Sequence, residues 1–71
     1  MSIGQRIYEA IRARAKEKGI KICEEIKLLG VSKDTARNWR IAKHDPGAWI
    51  IAEMCRQGYD IAWILTGDES R

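Results

Sequence analysis

Apolar residues recur along the chain at helical spacing, and nowhere do they alternate with period two for long enough to make a sheet. Ile3, Ile7 and Ile11 form a stripe at i, i+4 and i+8, with Ala10 and Ala15 beside it. Ser2 followed by Gln5 is a capping-box pattern, so a first helix is expected to start near Ile3. Lys16 and Lys18 suit the negative end of that helix, and Gly19 its left-handed stop. A second helix is expected from about Lys21 to Leu28. Ile22, Ile26 and Leu29 line one face with Cys23 adjoining, and Glu24 and Glu25 favour the dipole in the first turn. Gly30 ends this helix in a backbone conformation that only glycine adopts cheaply. Val31 is an apolar plug, and Ser32 caps a third helix over roughly Lys33 to Ala42.

A polar loop follows, Lys43-His44-Asp45-Pro46. Asp45 as cap and Pro46 as first helical residue predict a fourth helix that ends before Gly58. Ala48, Ile51, Ala52 and Cys55 are expected on one side of it, with Trp49, Ile50 and Met54 nearby. Asp60 caps a short fifth helix, Ile61 to Leu65, closed by Gly67, and Trp63 reads as core. The expectation is a compact all-α fold of five short helices. Residues 1–67 form one domain and residues 68–71 a short tail.

With 71 residues there is room for one small domain. A chain of this size buries only about 60% of its unfolded surface, so its core is small. No apolar run approaches the roughly 20 residues of a membrane span, and the first residues do not resemble a signal peptide. A soluble, cytoplasmic protein without a membrane partner is expected. Cys23 and Cys55 are too few for a disulfide framework and read as small buried side chains in a reduced compartment. Two Cys and one His cannot make a four-ligand zinc site. His44 reads as a solvated loop residue, with a phosphate contact the alternative. There is no Ser/His/Asp grouping and no phosphate loop, so an enzyme is not expected, nor a cofactor or small-molecule ligand.

Charge alters the picture through its placement. Residues 1–44 carry 11 Lys/Arg against 5 Asp/Glu, whereas residues 45–71 carry 2 against 5. A basic first two-thirds points to a polyanion such as nucleic acid. Two helices joined by a three- or four-residue turn containing Gly have the pattern of a helix-turn-helix, in which the second helix enters the DNA major groove. Such a helix needs an apolar inner face and an outer face of hydrogen-bonding groups. Val31, Ala36 and Trp39 fall on one side, and Lys33, Asp34, Arg37, Asn38 and Ile41 on the other. Arg takes guanine O6 and N7 together, and Asn takes adenine N6 and N7. Lys33, Asp34, Arg37 and Asn38 are therefore the candidate base readers, with a phosphate contact the alternative for Lys33. Asp34 has the alternative role of favouring the helix N-terminus. Lys21, Ser32, Thr35, Arg40 and Lys43 are the candidate phosphate contacts.

The run Leu29-Gly30-Val31-Ser32-Lys33-Asp34-Thr35-Ala36-Arg37-Asn38-Trp39 resembles the Leu-Gly-Val-Ser-x-x-Thr-x-x-x-Trp core of lambda-repressor-like helix-turn-helix domains. Pro46 falls where that family usually has a proline. Gly58-Tyr59-Asp60-Ile61-Ala62-Trp63-Ile64-Leu65-Thr66-Gly67 is similar to the fifth-helix signature of phage repressor N-terminal domains. The resemblance covers nearly the whole chain. It implies a five-helix fold that binds operator DNA as a dimer, as a repressor or Cro-like regulator. The chain departs from the family at three places. Lys21-Ile22 replaces the usual Ser-Gln, Ile26 replaces a small residue, and Ala36 replaces Ile or Val.

One recognition helix contacts few base pairs, so a homodimer on an inverted-repeat operator is expected. Trp49, Ile50, Tyr59 and Ile64 are its candidate contacts, with core packing the alternative for Trp49 and Ile50. The chain ends four residues after Gly67, which leaves two possibilities, a short stand-alone regulator or the DNA-binding part of a longer repressor. A reading from another class is a protein-interaction module such as an antirepressor. It would want an acidic or apolar outer face on the third helix, and Lys33, Arg37 and Asn38 argue against it.

Overall fold

A computed structural model describes residues 2–41 and 46–68. Five helices run through them: α1 Ile3–Lys18, α2 Ile22–Leu28, α3 Lys33–Arg40, α4 Ala48–Arg56 and α5 Ile61–Thr66. There is no strand among the described residues. The expected Asp45 cap, the His44 loop, the end of the third helix at Ala42, Lys43 and residues 69–71 of the tail lie outside them.

The start of α1 follows from its sequence. Gln5 N–H donates to Ser2 Oγ at 3.1 Å, and Ser2 N–H donates back to Gln5 Oε1 at 2.9 Å, which satisfies two free helix-end donors. Ile7, Ile11 and Ala15 are buried along one stripe. Gly4 adds a close approach: a Cβ built there would stand 3.2 Å from Trp39 Cα, so the missing side chain lets the backbones of α1 and α3 meet. α1 packs against α2, α3 and α5, and α4 packs against α5. The radius of gyration is 11.1 Å, about the 11 Å of a well-packed chain of this length.

α2 starts one residue later than expected, with Lys21 as its N-cap residue. A lysine has no side-chain acceptor to cap with. Only the return bond forms, Lys21 N–H to Glu24 Oε1 at 3.0 Å. α2 ends at a turn in which Gly30 has φ 75°, and Ser32 then caps α3.

Two expectations for α4 are corrected. Pro46 precedes the helix, whose N-cap is Gly47. The buried face is Ile50 and Met54, both 0% exposed, whereas Ala48, Ala52 and Cys55 are exposed and Ile51 is half-buried. Cys55 is therefore not the buried cysteine expected of it, and Cys23 is only half-buried. Trp63 is half-buried against the core.

Among the described residues, one charged side chain lies in the interior. Glu25 on α2 is 0% exposed and accepts from Lys18 Nζ at 2.7 Å and from the Tyr59 hydroxyl. Arg14 stacks 4.0 Å above the Tyr59 ring and donates to the Gln57 carbonyl at 2.9 Å. Gln57 Nε2 in turn reaches the Leu28 carbonyl at 3.2 Å. This network ties α1, α2 and the α4–α5 connection together. Burial alone would raise the Glu25 pKa, but the hydrogen bonds from Lys18 and Tyr59, with the charges of Lys18 and Arg14, hold it below the ordinary value. Burial and the neighbouring carboxylate push the Tyr59 phenol up.

At the other end of α1, Arg6 Nε donates to the Ile64 carbonyl at 2.7 Å, placing a cation at the C-terminus of α5.

Candidate nucleic-acid interface

α3 presents a packed side and an open side. Thr35 N–H donates to Ser32 Oγ at 3.2 Å, and the two hydroxyls lie 2.8 Å apart, so the first turn is closed by its own residues. Ala36 and Trp39 face inward at 1% and 2% exposure. At 100° per residue, Asp34, Arg37, Asn38 and Ile41 point away from that side. Lys33 and Arg40 stand on one flank, and Thr35 on the other. Lys33, Asp34, Arg37, Arg40 and Ile41 are exposed; Asn38 and Thr35 are half-buried.

The four candidate base readers thus share one short helix, on its open side and one flank. Lys33 and Arg37 make no ion pair with any described residue. Arg40 lies 5.9 Å from the centroid of the Tyr8 ring, at the outer limit of a cation–π contact. Asp34, in the first turn, suits the positive end of the helix. Among the phosphate candidates, Lys21 is exposed and makes no ion pair with a described residue, whereas the Ser32 hydroxyl is already engaged in the cap. Lys43 lies outside the described residues.

The apolar contact set is reduced. Ile50 and Ile64 are 0% exposed and Tyr59 is 8% exposed, so all three belong to the chain's own core rather than to a surface. Trp49 alone of the four offers apolar area, at 55% exposure. Among the described residues, Leu28, Ile41 and Leu65 are the other large apolar side chains in the open.

Sequence reasoning missed a groove of about 470 Å³ along the basic flank of α3. Ile22, Cys23 and Ile26 of α2 and Ala36 of α3 form its floor, and Tyr8 of α1 joins them. The exposed Lys33, Asp34, Arg37 and Arg40 border it. Nothing local marks Tyr8 for this position, because it depends on how α1 crosses α3. Among the described residues no group of three or more His, Cys, Asp or Glu side chains is placed to hold a metal ion. No helix there is long and apolar enough to cross a membrane. Scans against protein-family models, curated proteins and solved structures give no match.

Proposed function

We propose that the chain is a sequence-specific double-stranded DNA-binding regulator with a lambda-repressor-like helix-turn-helix formed by α2, the Gly30 turn and α3. In this reading α3 enters the major groove of an operator. The observation that carries it is the open face of α3. Arg37 and Asn38 lie on it about 100° apart, with Lys33 on the Arg37 flank and in no ion pair with a described residue, above a packed Ala36–Trp39 face. Those are the groups that read guanine and adenine edges. A tightly packed inner side also holds the helix that carries them in one orientation. Lys21, Thr35 and Arg40 are the backbone anchors, with Ser32 contributing through the cap that sets the start of α3. A homodimer would place two such helices about 34 Å apart on an inverted repeat. Trp49 is the side chain for its contact, since the other apolar candidates are buried.

Selection of bound duplexes from random DNA, followed by gel shifts in rising salt, tests the reading. The expected result is an enriched inverted repeat whose affinity falls steeply with salt. An unenriched pool with salt-insensitive binding overturns it.

A further inference from the structure

The groove beside α3 has a chemistry that a DNA backbone does not match. Its floor, Ile22, Cys23, Ile26 and Ala36, is apolar, and its border carries three cations against one carboxylate. Lys33 and Arg37 have no anionic partner among the described residues, and Ile22 and Cys23 are only half-buried. Phosphates would satisfy the cations and leave the apolar floor uncovered. A ligand that satisfies both needs an apolar body and one anionic end. The groove's volume of about 470 Å³ lies within the range of roughly 300–1,000 Å³ typical of small-molecule sites.

The geometry points to a binding site for a small amphipathic carboxylate, with its hydrocarbon against Ile22, Cys23 and Ile26 and its carboxylate on Arg37 and Lys33. Arg37 supplies the planar fork that suits a carboxylate, and Lys33 adds a second charge. Asp34 faces the same border and disfavours a second negative charge, which selects a monoanion over a dianion. Arg37 cannot hold this carboxylate and a base edge together, so occupancy releases DNA. That release rests on the proposed function, whereas the binding itself does not.

Cys23 in the floor gives a readout that needs no DNA. In a Cys55→Ser protein, Cys23 is the single thiol, and its alkylation rate by iodoacetamide reports whether the groove is covered. Millimolar decanoate is expected to slow alkylation severalfold. Butyrate, which lacks the body, and decanol, which lacks the charge, should leave the rate unchanged. Arg37→Gln should raise the half-protecting decanoate concentration about tenfold, the scale of a lost charge-assisted hydrogen bond. Equal protection by decanol overturns the site, as does protection that survives in both Arg37→Gln and Lys33→Gln, or none at all in a protein with native circular dichroism. With a selected duplex present, protection together with DNA release supports both the site and the role of α3. Protection without release supports the site and counts against α3 as the reader of DNA. Release without protection overturns the site.

Discussion

Two neighbouring regions treat charge in opposite ways. On the inner side of α2, Glu25 is fully enclosed, and its oxygens are matched by Lys18 and Tyr59, with Arg14 stacked on the Tyr59 ring. On the open side and flank of α3, Arg37 and Lys33 make no ion pair with a described residue. The first arrangement is tied to the fold, because a buried charge is tolerable only when it is answered. The second contributes little to the fold, and its side chains are exposed. The contrast separates residues that hold α2 and α3 in position from residues that would use that position.

The largest expected effect lies on the inner side. Glu25→Ala should destabilise the protein by about 2–3 kcal/mol in urea denaturation. That is below the 3–5 kcal/mol typical of a fully enclosed pair, because Lys18 is 39% exposed and turns to water when its partner is gone. A loss under about 0.5 kcal/mol, the range of ordinary surface changes, would erase the contrast. On the outer side, Arg37→Ala and Asn38→Ala should each cost about 1–3 kcal/mol on a selected duplex and little on random DNA. Their folding stability should change by no more than about 0.5 kcal/mol. Equal losses on both kinds of DNA would demote them to backbone contacts.

Tyr59→Phe removes one of the two partners of Glu25 and should cost about 1–2 kcal/mol of stability, with affinity for DNA retained by the folded protein. Acid sharpens the same point. The Glu25 carboxyl titrates below its ordinary value of 4.5 in the folded protein. Its stabilisation is therefore complete above that value and fades as pH falls through it towards the lower folded pKa. Glu25→Gln should flatten this acid limb in a pH series of denaturation midpoints. An unchanged limb would assign acid sensitivity to other carboxylates. The smallest effects belong to Lys21, Lys33 and Arg40. Removal of each should lower the slope of log affinity against log salt by about 1.

Much of the backbone plan was legible because it is written locally. Ser2 with Gln5, the Gly30 turn and the Ser32 cap each act within a few residues. α4 was misread for a physical reason. Ala48, Trp49, Ile50, Ile51, Ala52, Met54 and Cys55 surround the helix, so periodicity cannot choose a face. Once Ile50 turned inward with Met54, the apolar set expected at a dimer contact shrank to Trp49. Glu25 was legible only in part. It lies three residues after Ile22 and four before Leu29, which is an inward register, but its charge argued for solvent. What resolves the conflict is Tyr59, far along the chain, and no local pattern announces that meeting. The open face of α3 was readable from spacing alone. The groove beside it was not, since α1 supplies Tyr8.

The contact between Gly4 and Trp39 clamps α3 against α1. A side chain at position 4 would stand 3.2 Å from Trp39 Cα and 3.3 Å from Trp39 Cβ and its carbonyl oxygen, close enough to require a shift of a few tenths of an ångström. The clamp is near the C-terminal end of α3, whereas Lys33 and Asp34 occupy the far end. Ala36, 1% exposed, fixes the N-terminal half of α3 against the core as well, so position 4 sets the spacing between α1 and α3 behind the open face.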